Sequence, residues 1–378
     1  LTDFVFLFSH IPDPRINKRI SVAKARGSVA LVAWDKQVTS AWTLQHDDIE
    51  NNVIQVRNTS DNLIQRTAHT LSFAVKALRL LRQLQPQCIY VGNIDMLLIA
   101  SIYKKSHPTQ IIYEVADLNR LIADPQRSPA KKIVRFGLIR LEKNLCRKIH
   151  SLVLTSNKFY DHYYSQFVPQ NKVLEMPNIP NLEAFKAYRK ITHDFFTIGF
   201  IGGIRYLNQL KMLVNATEKT GTKVFVAGTG FRPGDEEALL QYCEGKEHVE
   251  FYGRYDYHRE VASLYERCDC IYAVYDTSLN NVKIALPNKL YESIYCELPI
   301  IVAKGTYLAE LATKQNVGVA VSDQNEDELV QVIQRLSTDA TFYNTIVRSC
   351  QAHREEINPE RYNLALAKQF DIVLENRP

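Results

Sequence analysis

Short apolar runs alternate with stretches of helical periodicity along nearly the whole chain. In the first half the runs fall at Phe4–Ser9, Ser28–Trp34, Val53–Val56, Cys88–Gly92, Ile111–Val115 and Ser151–Ser156. Asn62–Leu84 and Pro129–Ile149 read as helices between them. The alternation then breaks at Glu175-Met176-Pro177-Asn178-Ile179-Pro180-Asn181, where two prolines and two asparagines give the chemistry of a linker. It restarts with runs at Thr197–Ile201, Lys223–Ala227, Val249–Tyr252, Cys270–Tyr275, Pro299–Ala303 and Val317–Val321. Helices are expected at Tyr257–Arg267, Pro287–Leu298 and Glu326–Leu336, with Pro359–Glu375 closing the chain. Short strands bounded by turn residues and separated by helices predict parallel sheets joined by right-handed crossovers.

The predicted class is α/β, with two doubly wound, Rossmann-like domains. A length of 378 residues fits this, since single cores usually stop growing at about 250–300 residues. Ligands of such sheets bind at the carboxyl edges of the strands, so a cleft between two sets of edges is the expected site. The net charge of +5 suits an anionic partner but is too small to indicate nucleic acid. Seven cysteines show neither a CxxC pair nor a zinc spacing, and most lie in apolar runs, as buried thiols of a reducing compartment do. No apolar run approaches the ~20 residues of a membrane helix. The chain opens on Leu1 rather than Met, which leaves room for a trimmed or cleaved N-terminus.

Candidate chemistry concentrates in the second half. The turn after Thr197–Ile201 reads Gly202-Gly203-Ile204-Arg205: paired glycines admit a ligand close to the backbone, and Arg205 offers a bidentate fork to a diphosphate. The alternative is a tight turn with a surface arginine. Gly228 and Gly230 repeat the pattern at the next strand end. In Pro287-Asn288-Lys289-Leu290-Tyr291-Glu292, Pro287 is expected to open a helix whose first N–H groups, near Asn288 and Lys289, face a phosphate. Glu292, one turn further in, would accept the hydroxyls of a ribose; otherwise it is a solvated residue of an amphipathic helix.

In order, Gly202-Gly203-Ile204-Arg205, Val226-Ala227-Gly228-Thr229-Gly230, Phe251-Tyr252-Gly253 and Pro287–Val302 resemble the donor domain of GT-B glycosyltransferases. They are most similar to the retaining family four and its bacterial capsule, exopolysaccharide and lipopolysaccharide enzymes. Asp13-Pro14-Arg15-Ile16 and the stretch from Leu141-Glu142-Lys143 through Leu154-Thr155-Ser156 are similar to the acceptor domain. The resemblance implies an acceptor domain over 1–176, a nucleotide-sugar domain over 177–357, and a terminal helix over 358–378 that crosses back to the first. It implies transfer of a sugar from a UDP- or GDP-linked donor to a hydroxyl, with retention and with neither metal nor cofactor. Arg205 would hold the diphosphate and Glu292 the ribose. Two positions depart from the family pattern. The first of its two glutamates falls on Ile284, and a frequent lysine falls on Asn208, for which Lys211 or Lys289 would substitute. A sugar-nucleotide 2-epimerase of the same fold and a catalytically degenerate partner subunit are the competing readings.

On the acceptor side, Asp117 follows a strand and is the first choice for a catalytic base, with Glu114 second. Asp117 could instead cap the next helix. His10, Asp13 and Arg15 form the first strand-to-helix loop, to contact the acceptor or its phosphate, or, for Asp13, simply to start a turn. Lys131, Lys132, Arg135, Arg140, Lys143, Arg147 and Lys148 share one helical stretch with Ile133, Phe136, Ile139 and Leu145. That stretch suits either peripheral contact with an anionic inner leaflet or a basic surface helix. The expected setting is cytoplasmic, with a lipid-linked or oligosaccharide acceptor and no nucleic acid.

Overall fold

The computed structural model describes residues 1–36, 44–56 and 63–376. It comprises two compact units, Leu1–Pro177 with Pro359–Pro378, and Asn178–Asn358. The strands of the first unit are β1 (Phe4–Phe8), β2 (Val29–Asp35), β3 (Glu50–Gln55), β4 (Cys88–Gly92), β5 (Gln110–Val115), β6 (Ser151–Leu154) and β7 (Val173–Glu175). They form one sheet in the order β3-β2-β1-β4-β5-β6-β7, and every pairing is parallel. All five residues of β1 are buried, as expected for a strand covered by helices on both faces. The closing helix Pro359–Glu375 completes this core: Leu366, Phe370 and Val373 pack with Phe4, Phe6 and Tyr90.

The second unit contains β8 (Thr197–Ile201), β9 (Lys223–Ala227), β10 (Val249–Gly253), β11 (Cys270–Ala273), β12 (Ile300–Ala303) and β13 (Gly318–Val321). Their order is β10-β9-β8-β11-β12-β13, again all parallel. In each unit the chain winds outward from a central strand, then returns to that strand's other side. The strand order therefore reverses at β1/β4 in one sheet and at β8/β11 in the other, where such sheets open a crevice for a ligand.

Several elements differ from expectation for local reasons. The expected helix Pro287–Leu298 spans only Lys289–Tyr295, because Asn288 is its cap and Pro287 precedes it. Its far end is closed by Glu297 at φ +56°, with the Leu298 N–H on the Ser293 carbonyl at 2.9 Å. The basic helix stops at Cys146 rather than Ile149. Asn62, the expected start of the helix Leu63–Leu84, lies outside the described residues. Helix Ile94–Tyr103 was not legible, because Met96, Leu97, Ile99, Ala100 and Tyr103 are all buried and no polar stripe marks a period. All seven cysteines are buried free thiols. Among the described residues, no helix is long and apolar enough to cross a membrane.

Candidate functional site

In the second unit the turns after β8, β9 and β10 are stitched together beyond the strands. The Gly202 N–H bonds the Ala227 carbonyl at 2.8 Å, Ile204 N–H bonds Thr229 at 2.8 Å, and Gly228 N–H bonds Gly253 at 2.7 Å. Gly228 adopts φ +138°, and a Cβ there would lie 2.0 Å from the Gly202 oxygen, so only glycine permits this approach. Gly202 itself has φ +142°, and a Cβ on it would meet the Lys289 ammonium at 2.9 Å. The space above the β8 turn thus belongs to Lys289. Gly230 is closed off, its N–H donating to Glu236 at 3.0 Å.

Lys289 opens its helix with only 9% of its surface exposed, its Nζ 4.6 Å from the Phe200 ring centroid and 5.8 Å from that of Tyr275. Among the described residues it forms no ion pair. Burial pulls its pKa down to about 8; Glu292 resists this fall and Arg205 adds to it. Arg205 and Glu292 also act, in opposite senses, on half-buried Tyr275, whose pKa rises chiefly through desolvation. The four groups therefore share one neighbourhood at the β8/β11 reversal. Arg205 is exposed, with its guanidinium carbon 3.9 Å from the Phe231 ring centroid.

Glu292 is buried rather than solvated, 4% exposed. Tyr257 donates to its Oε1 at 2.7 Å and Tyr265 to its Oε2 at 2.6 Å. A carboxylate oxygen has two acceptor sites, so each retains one. The tyrosines stand on helix Tyr257–Glu266, far from Glu292 in sequence, and no local spacing announced them.

The structure separates the remaining donor-side candidates. Lys211 is directed away, its ammonium 4.7 Å from the Tyr242 ring centroid on the neighbouring helix Asp235–Cys243. Lys289 rather than Lys211 thus supplies the amine beside the glycine turn. Leu290 is a core residue at 2% exposure. The Asn288 side-chain oxygen already accepts from Asn178. Ile284 is buried at the end of the short helix Asn280–Ile284. Gly203 borders Arg205 and Phe231.

In the first unit, Asp13 caps helix Pro14–Lys24 through the Ile16 N–H at 2.9 Å and pairs with Arg15 at 3.2 Å. Arg15 and Arg19, one turn apart, approach Glu114 at 3.5 and 3.6 Å, and Tyr90 donates to the same carboxylate. Glu114 is 2% exposed, which corrects its reading as a base: it is an internal counter-ion. Asp117 is exposed on the loop after β5, and the cap of the next helix is Asn119 instead. His10 lies at the β1/β4 reversal, where Asn93 donates to Ser9 at 3.1 Å. Burial lowers the His10 pKa, with Arg15 and Lys36 lowering it further against Asp13.

Residues 183–352, nearly all of the second unit, match the family described as Glycosyl transferases group 1. The second unit is thus a group 1 glycosyltransferase domain. The whole chain is 24% identical to the succinoglycan biosynthesis protein ExoL of Rhizobium meliloti over 359 residues, which cover 88% of this chain and 84% of that one. Its fold is GT-B. Sucrose-phosphate synthase from Thermosynechococcus elongatus superposes with a TM-score of 0.77 over 99% of both chains at 14% identity. HepE of Anabaena, solved in complex with UDP-glucose, gives a TM-score of 0.73 at 15% identity, covering 97% of this chain and 99% of HepE.

The half-titrating lysine sets a pH dependence. A nucleotide anion held by Lys289 would need its ammonium charged, so affinity for such an anion should hold below pH 8 and then fall toward about tenfold per pH unit. Stability of the unliganded chain should run the other way. Between about pH 8 and 10 the unfolded chain holds more protons at this lysine, so stability rises with pH. Calorimetry from pH 6.5 to 9.5 checks the first, and denaturant titration checks the second. Lys289→Met should flatten both profiles.

Proposed function

We propose that this glycosyltransferase moves a sugar from a UDP-linked donor to a hydroxyl of a lipid-linked or oligosaccharide acceptor in bacterial surface polysaccharide synthesis, with retention of configuration. The observation that carries the reading is the grouping of Arg205, Lys289 and Glu292 around the Gly202 turn. Departure of a nucleoside diphosphate develops negative charge, and a guanidinium fork with a buried ammonium is suited to stabilise it. Glu292, held by two tyrosines, is assigned to the ribose. The part of ExoL in succinoglycan biosynthesis and the UDP-glucose complex of HepE support the pathway and the nucleotide. On the first unit, Asp117 and His10 are assigned to the acceptor hydroxyl; Asp13 and Arg15 shape that loop.

A thermal-shift panel of UDP- and GDP-sugars, followed by product analysis, tests the reading. One UDP-sugar should raise the melting temperature, because a ligand of the folded state stabilises it. That donor alone should give slow release of UDP, and with acceptor a retained linkage by NMR. A new sugar nucleotide formed from donor alone would instead favour an epimerase.

Helix Pro129–Cys146 is assigned to peripheral contact with an anionic inner leaflet at the cytoplasmic face. Ile133, Val134 and Phe136 are 73%, 55% and 67% exposed, and Lys131, Lys132, Arg140 and Lys143 are exposed beside them. Each basic residue near such a surface contributes about 1 kcal/mol, so Lys131→Ala with Lys132→Ala should cut partitioning into phosphatidylglycerol vesicles about thirtyfold. Co-sedimentation reads the change; equal binding to neutral vesicles would contradict the assignment.

A further inference from the structure

Phe231 is a large apolar side chain with 52% of its surface exposed, so it fills no core. Its backbone is nonetheless fixed. The Phe231 N–H donates to the Ile204 carbonyl at 2.9 Å, the preceding Gly230 forms a parallel bridge with Ile204, and Arg232 N–H donates to Asp235 at 3.0 Å. The loop after β9 is thereby tied to the turn after β8. What the ring covers is Arg205, with a centroid distance of 3.9 Å. Gly203 edges both groups: a Cβ there would stand 3.9 Å from the Arg205 Nε and 4.0 Å from the Phe231 Cδ2.

An exposed arginine ordinarily samples many rotamers and loses that freedom when it grips an anion. A fixed aromatic face removes part of the loss beforehand, because stacking leaves the outward N–H groups free to donate. We propose that Phe231 is a positioning residue, its ring holding the Arg205 guanidinium ready for the donor's diphosphate. The inference rests on the assignment of Arg205 to that diphosphate. In this role Phe231 acts through the arginine rather than through a contact of its own with base or sugar.

A double-mutant cycle decides it. Isothermal titration with UDP is run on the wild type, Phe231→Ala, Arg205→Ala and the double variant, with Phe231→Tyr as the conservative control. Phe231→Ala should weaken UDP about three- to fivefold, the size of an exposed cation–π contact, and Phe231→Tyr should restore it. In the Arg205→Ala background Phe231→Ala should cost nothing further. Uridine, which lacks the diphosphate, should compete equally well for wild type and Phe231→Ala. Additive losses in the cycle, or an equal loss for uridine, would overturn the proposal, as would an unchanged UDP affinity in Phe231→Ala. If the wild type fails to bind UDP, or Arg205→Ala binds it normally, the donor assignment itself has failed.

Discussion

Arg205→Ala is expected to lower kcat/KM for sugar transfer by about a hundred- to a thousandfold, the usual loss when one preorganised donor to a developing oxyanion is removed. The same change should scarcely alter stability. Arg205 is exposed, and its contact on Phe231 is of a kind worth about 0.5–1 kcal/mol. The pairing of a large kinetic loss with an unchanged melting temperature separates a binding group from a structural one. Arg205→Lys should recover only part of the rate, since an ammonium cannot present two parallel donors to a diphosphate. Steady-state kinetics with the donor identified by thermal shift, beside a melting curve, checks both halves.

Gly228→Ala should be the most disruptive small substitution in the second unit. Its Cβ would lie 2.0 Å from the Gly202 oxygen, and φ +138° is a region that residues with a side chain avoid at a cost of about 1–3 kcal/mol. The clash comes in addition and falls on backbone, which cannot rotate away. A loss of about 3 kcal/mol or more in chemical denaturation is expected, together with loss of UDP binding where the chain still folds. Gly203→Ala is the control. Nothing lies nearer than 3.9 Å to its added Cβ, so stability should stay within about 0.5 kcal/mol.

The doubly wound character was legible because strands and helices carry different hydrophobic periods, and β8, β9 and β4 begin and end where the apolar runs do. Elements without a period were not. β7 has three half-buried residues, too few to show alternation, and Ile94–Tyr103 is apolar on nearly every side. Glycine turns and Arg205 could be read because their chemistry is local. The choice between Lys211 and Lys289 could not, since it depends on which helix end meets the β8 turn, a tertiary fact. Likewise, a sequence displays Glu114 and Asp117 as neighbouring acids. Only the fold reveals that one is the buried counter-ion of Arg15 and Arg19 while the other is on an exposed loop. The tyrosines that grip Glu292, and the phenylalanine beneath Arg205, come from separate segments joined by long-range packing.

A crystal structure of the full chain soaked with UDP is the most direct trial of this account. It should show the two phosphates within hydrogen-bonding reach of Arg205 and Lys289, and the ribose hydroxyls on the free acceptor sites of Glu292. Density for UDP at another edge of the second sheet, with these three side chains untouched, would contradict it.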